Sequence, residues 1–352
     1  MPIDLTDQPI WLNLGLFLAG AGAVWYAGLR LAIHADAIAE RKQLARAVVG
    51  AMILAGATSL PEIATTCTAS AIGNAPMAVN NLLGGIAMQT AILAVVDLVV
   101  VRGAMTYFSP KPVLMLAGVL LVVQIAVCLM AIAAGEIASF AGTGVWPIVL
   151  AVAYYFMLRF VHGYEGRPGW KPVDIPDEVY EREQSRKADG TSPASRSDRA
   201  LYLIFGAYSL VVLIGGTLVS TTADALSKQT HLSGGFVGAT FVAIATSLPE
   251  VSATMGAARL GAYTLAISNI FGSNALMIAL VLPADLIYRG GPIMDAVDDS
   301  AVFTGAIGIL VTALYLWGLV ERRDRTVLGM GIDSTLVLVA YFLGVVMLYQ
   351  IS

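Results

Sequence analysis

Two glutamates lie inside apolar stretches of this chain, each closing the same six-residue phrase. Ala57-Thr58-Ser59-Leu60-Pro61-Glu62 returns 188 residues later as Ala245-Thr246-Ser247-Leu248-Pro249-Glu250. Residues three and four apart on a helix share a face. Thr58 and Ser59 therefore stand one turn from Glu62, with their hydroxyls on the side of its carboxylate. Pro61 has no N–H and cannot bond the carbonyl four residues earlier, so the Ala57 carbonyl is freed and the helix bends. Release of neighbouring carbonyls from Ala55 onward follows from the same bend. The second copy supplies Thr246, Ser247, Glu250 and a free carbonyl at Ala245, behind Pro249.

All of these are hard oxygen donors. Calcium takes about 6–8 such ligands in a flexible shell, whereas softer metals want His or Cys, and neither type occurs in the phrase. A carboxylate at the bilayer centre costs about 2.5–3.5 kcal/mol on insertion scales, and two at one depth also repel each other. A divalent cation between them removes both penalties. Several monovalent cations, or a proton on each acid, would do the same. A site able to hold each of these in turn can exchange them, which is the physical basis of an antiporter. A bare kink motif with a protonated glutamate would explain one copy, but packing alone has no need of a carboxylate twice.

The elements that must position these groups follow from composition and from the repeat. The chain is 58% hydrophobic and 12% charged, with a net charge of -4; soluble domains carry about 25% charged residues. Apolar stretches of about 20 residues, enough to cross a bilayer, recur along nearly the whole length. They predict ten spans at 11–33, 43–72, 78–101, 112–134, 142–162, 200–221, 233–258, 264–288, 300–320 and 331–351. Helices are expected throughout, because backbone polar groups in lipid must be satisfied internally. With both termini outside, 18 of the 20 Lys and Arg residues fall on the inner side, as the positive-inside rule requires.

The 188-residue offset also pairs Val49-Gly50-Ala51 with Val237-Gly238-Ala239, Gly73 with Gly261, Asn81 with Asn269, Gly84 with Gly272, and Asp97-Leu98 with Asp285-Leu286. Five spans per half make the two copies run in opposite senses, a pattern that places a binding site between the repeats. The expected fold is an all-α polytopic membrane protein of ten transmembrane helices arranged as two inverted five-helix repeats. The first repeat covers 1–162 and the second 200–352, and a polar, Gly-, Pro- and Ser-containing cytoplasmic linker joins them at 163–199.

Other residues receive plainer readings. Cys67 and Cys128 lie in apolar spans and read as packing residues, and His34, His162 and His231 are too scattered to bind a metal and read as interfacial. Asn81, Asn269 and Asn274 read equally well as ligands or as helix–helix hydrogen bonders. Asp97 and Asp285, near span ends, are expected at the membrane interface, and Glu136 at the outer surface between the fourth and fifth spans.

The doubled Ala-Thr-Ser-Leu-Pro-Glu phrase, with Asn269-Ile270-Phe271-Gly272-Ser273-Asn274 behind the second copy, resembles the cation/calcium exchanger superfamily, specifically its sodium/calcium exchanger branch. The resemblance covers essentially the entire chain. It implies Glu62, Glu250, Thr58 and Thr246 as calcium ligands. It implies Ser59, Ser247, Ser273 and carbonyls near Ala55 and Ala243 as sodium ligands. It also implies ion sites at the midplane and sliding of the first and sixth helices. Three positions depart from the family pattern. Gly85 stands where the family has serine, Gln89 where it has asparagine, and Met277 where it has an acid or amide.

The expected function is secondary exchange of Ca2+ for Na+ by alternating access, the ions being cargo and no organic cofactor being needed. Ca2+/H+ exchange within the same superfamily is the alternative, and a cation channel a more distant one. No nucleotide-binding or catalytic motif is present, so an enzyme is not expected. The expected partners are the transported cations (Ca2+, Na+ or H+) and the lipid bilayer, with no nucleic acid and no obligatory protein partner. The expected location is a prokaryotic plasma (inner) membrane.

Overall fold

The computed structural model describes residues 5–42, 46–71, 73–101, 103–109, 111–140, 142–165, 197–229, 243–297, 299–323 and 325–351. Eight of its helices are long and apolar enough to cross a membrane. They match eight of the ten expected spans to within a few residues at most ends. The main extensions are at the first and sixth, which run as Ile10–Arg41 and Asp198–Gln229. Most of the expected linker, and residues 233–242 of the expected seventh span, lie outside the described residues. Where the linker was expected to begin and end, Glu165 and Asp198 are already helical.

The two remaining spans, which carry the glutamates, are not single helices. The first passes through a π-helical turn at Val49–Leu54 and a short helix at Ala55–Thr58, then restarts as Leu60–Ala71. The second, within its described part, runs Ala243–Thr246 and restarts as Leu248–Arg259. Ser59 (φ −82°, ψ 11°) and Ser247 (φ −81°, ψ 0°) mark the breaks. Pro61 and Pro249 occupy the second residue of each restarted helix, where a missing N–H loses nothing. Each broken helix then ends at a glycine in the left-handed region, Gly73 (φ 83°) or Gly261 (φ 69°), a conformation open to glycine without a Cβ penalty. The same backbone features thus recur at the offset seen in the sequence.

Helices Ile10–Arg41 and Asp198–Gln229 pack antiparallel along their length. At one end Asn13 donates to the Gln229 side chain at 3.2 Å. At the other, Lys42 and Arg41 both pair with Asp198, the lysine at 2.5 Å. In the middle they cross at Gly20 and Gly215, where a Cβ on either would stand 3.3–3.4 Å from the other's carbonyl oxygen. Small residues allow this approach.

Each of these helices also leans on a broken segment of the other half. A Cβ on Gly28 would fall 1.8 Å from Ser252 Oγ and 3.1 Å from the Pro249 carbonyl oxygen. A Cβ on Gly216, 188 residues after Gly28, would fall 2.3 Å from Pro61 Cγ.

Helices Ala75–Val96 and Tyr263–Ala279 form the centre, the latter buried at nearly every position. Helices Pro112–Ala134, Asp299–Glu321 and Ile332–Ile351 pack around them. Two small antiparallel hairpins, absent from the all-α expectation, precede the last helix of each half. They are β1–β2 (Ser139–Phe140 with Thr143–Gly144) and β3–β4 (Thr326–Val327 with Met330–Gly331). Strands of two residues are too short for an alternating pattern to register in the sequence.

Candidate functional site

The helix breaks bring the two phrases together. Thr58, Ser59, Glu62, Thr246, Ser247, Glu250 and Ser273 are all buried. Ser59, at the break of the first half, donates to Glu250 Oε1 at 3.1 Å. Ser273, on helix Tyr263–Ala279, donates to the same oxygen at 3.1 Å, and the two serine hydroxyls touch each other. Thr58 also faces Glu250. The Glu62 and Glu250 side chains lie close enough for their charges to interact. Hydroxyls from both halves therefore converge on one carboxylate, with the second carboxylate beside it.

The two acids are not equally furnished. Both Glu62 oxygens and Glu250 Oε2 are buried without a hydrogen-bond partner, and so is Ser247 Oγ. An ionised group in that condition is costly unless something charged compensates it. No group of three or more His, Cys, Asp or Glu side chains suited to a metal occurs among the described residues. The donors on offer are two carboxylates, hydroxyls and backbone carbonyls, a hard-oxygen set.

The Ala55 carbonyl, expected to be released at the bend, accepts the Ser59 N–H at 3.0 Å and the Thr58 hydroxyl at 3.2 Å. Only its remaining lone-pair capacity faces elsewhere. Ala243 lies in the short helix before the second break, at the position that mirrors Ala55. The asparagines behave as helix connectors. Asn269 donates to Thr254 Oγ1 at 3.2 Å, and Asn274 donates across the halves to Thr90 Oγ1 at 3.0 Å. Asn81, at the position mirroring Asn269, has a buried side-chain nitrogen with no partner. His34 is buried in the protein, with Nδ1 bonded to the Arg30 carbonyl at 2.7 Å. Cys67 and Cys128 are free thiols.

Asp97 and Asp285, expected at the membrane interface, are both fully enclosed by protein. Asp97 accepts the Met105 N–H at 3.0 Å and the Ser334 hydroxyl at 2.5 Å, and it bonds the Gly331 backbone in the second half's hairpin. Asp285 accepts the Ile293 N–H at 2.6 Å and the Gly144 N–H at 2.8 Å, the latter in the first half's hairpin. Each aspartate thus holds a backbone N–H eight residues ahead and a hairpin glycine of the opposite half. Position near a span end gives no sign of such enclosure. The partners that bury these acids lie far off in sequence, and the one available signal was that the aspartates match between repeats. Glu136 lies in the loop before its helix, as expected, and caps it by accepting the Val145 N–H at 2.9 Å.

Comparison with known proteins agrees with this architecture. Inner membrane protein YrbG of Escherichia coli (strain K12) is 23% identical over 343 residues, covering 97% of this chain and 98% of that protein. Sodium/calcium exchanger MaX1 of Methanosarcina acetivorans is 32% identical over 111 residues, 30% of this chain and 31% of that one. The solved sodium-calcium exchanger NCX_Mj, soaked with 10 mM Na+ and zero Ca2+, superposes with a TM-score of 0.70 at 18% identity. That match covers 96% of this chain and 99% of the other, and it carries the fold. The sequence model described as sodium/calcium exchanger protein matches residues 12–162 and 200–350, both halves on either side of the linker. This polytopic membrane protein belongs to the sodium/calcium exchanger family.

Proposed function

We propose that the protein is a secondary antiporter that moves Ca2+ against Na+ by alternating access, with the ions held between Glu62 and Glu250 near the bilayer midplane. The observation that carries this reading is the convergence of Ser59 and Ser273, from opposite halves, on one oxygen of Glu250, with Glu62 alongside and three carboxylate oxygens left without partners. A divalent cation would use both carboxylates at once. Monovalent cations would use one carboxylate with its hydroxyls. Thr58, Thr246, Ser59, Ser247, Ser273 and the carbonyls near Ala55 and Ala243 complete the proposed ligand set. Both Glu62 oxygens, Glu250 Oε2 and the Ser247 hydroxyl, which have no partner in the structure, remain for cargo.

The proposed layout is ten membrane-crossing segments in two inverted sets of five, with both termini outside, in a prokaryotic plasma membrane. Two observations support it: the antiparallel pairing of helices Ile10–Arg41 and Asp198–Gln229, which match each other at the repeat offset, and the close packing of each against the opposite half's broken segment. The test is uptake of radioactive calcium into proteoliposomes. Uptake should follow an imposed outward sodium gradient and collapse when sodium is equalised. Calcium movement indifferent to both sodium and pH gradients would remove the antiporter reading.

Ca2+/H+ exchange is the second reading. It draws on the bare carboxylate of Glu62, an acid well placed to take a proton where no hydroxyl attends it. Uptake driven by pH alone, without sodium, would select it.

A further inference from the structure

We infer that Gly85 and Met277 act as one unit that withholds a monovalent-cation position from the Glu62 side of the site, so that the chain binds fewer Na+ than its doubled backbone would allow. The inference rests on the ion-site reading above but concerns the inequality of its two sides.

The repeat offset makes the inequality explicit. Glu250 is served by Ser59 and Ser273. Shifting each by 188 residues gives Glu62 as the acid, with Ser247 and residue 85 as its mirrored donors. Residue 85 is glycine, so one donor is missing from the sequence itself. The remaining donor, Ser247, makes no hydrogen bond, and neither oxygen of Glu62 has a partner.

The space that a side chain at position 85 would enter is bordered tightly by the end of one flexible side chain, which must yield by a few tenths of an ångström to admit it. A Cβ placed on Gly85 would stand 3.0 Å from the Met277 methyl carbon and 3.1 Å from its sulfur. Met277 is itself buried, and it mirrors Gln89, a buried amide whose oxygen and nitrogen both lack partners. The second half has therefore put a thioether where the first half keeps an amide, and that thioether lies over the glycine. A thioether is a poor ligand for a hard cation. Calcium, which draws chiefly on the two carboxylates, loses little. A sodium ion, which needs several neutral oxygens around one carboxylate, loses its position on this side.

The steric coupling makes the inference testable as a cycle. Gly85→Ser alone would push its hydroxyl against Met277, and Met277→Asn alone would clear space without restoring the hydroxyl. The double variant supplies both oxygens. The experiment is equilibrium binding of radioactive sodium to purified wild type, both single variants and the double variant, with radioactive calcium binding in parallel.

The double variant should bind about one additional Na+ per chain, with a gain exceeding the sum of the single variants, while calcium affinity stays within about twofold. Equal sodium binding by wild type and double variant would overturn the inference, as would a gain in Gly85→Ser alone as large as in the double. Should the double variant fail to fold, Met277→Gln keeps the side-chain length and adds an amide oxygen. It should raise sodium affinity about tenfold, and no rise would count equally against the proposal. These counts are independent of calcium flux, so a failure of exchange in wild-type proteoliposomes would be distinct from a failure here.

Discussion

Glu62 and Glu250 carry the same sequence neighbourhood and different surroundings. Glu250 takes two serine hydroxyls on one oxygen, and Glu62 takes none. Glu62→Gln and Glu250→Gln should each abolish gradient-driven calcium uptake while the melting temperature in detergent holds steady or rises, because each change removes half of the charge a divalent cation would meet. Calcium uptake retained in both variants would remove the site assignment. Ser59→Ala or Ser273→Ala deletes one hydrogen bond to a charged group, about 1.5–3 kcal/mol. Apparent sodium affinity should fall about tenfold or more in flux titrations, and unchanged affinity would separate these serines from the cargo. The identity of the acids and hydroxyls was legible from residue type and spacing. Their unequal partnering was not, since Ser59 reaches an acid 191 residues away and a methionine over a glycine leaves no trace in hydropathy.

At the level of elements, the proline kinks were legible and their details were not. Pro61 predicted a bend, and the bend falls at one non-helical residue, Ser59, preceded by a π-helical turn. Gly28 and Gly216 explain how a long helix can press against each interruption. At Gly216 an added Cβ would meet the ring of Pro61 at 2.3 Å, whereas at Gly28 the nearest atom is a serine hydroxyl that can rotate, backed by Ser252 Cβ at 2.9 Å and a carbonyl at 3.1 Å. Gly216→Ala should therefore destabilise more than Gly28→Ala. About 1–3 kcal/mol is expected for such overpacking, read as a lower melting temperature in detergent. Equal stability of Gly216→Ala and wild type would mean that the two helices already stand apart in solution. The hairpins β1–β2 and β3–β4 escaped the sequence for want of length, though each precedes the last helix of its half at nearly the same place.

Across the whole molecule, the repeat offset foretold which residues would be equivalent but not which would touch. Asp97 and Asp285 show the difference: their equivalence was visible, while their burial depends on Gly331 and Gly144 in the opposite halves. Asp97→Asn or Asp285→Asn exchanges one acceptor oxygen for a donor facing other donors. A loss of about 1–3 kcal/mol should appear as a lower melting temperature, with initial calcium flux reduced at most several-fold. Complete loss of flux in a well-folded variant would place these acids in the ion path instead. The swapped contacts have a further consequence. When i of one partner meets j of the other and j meets i, the interface is isologous, the kind two identical subunits form about a two-fold axis. On the proposed inverted layout, the two halves should still recognise each other if their fusion into one polypeptide is undone. Residues 1–165 and 197–352, expressed as separate chains from one plasmid, should co-purify through a tag on either, and Asp97→Asn with Asp285→Asn should weaken that capture.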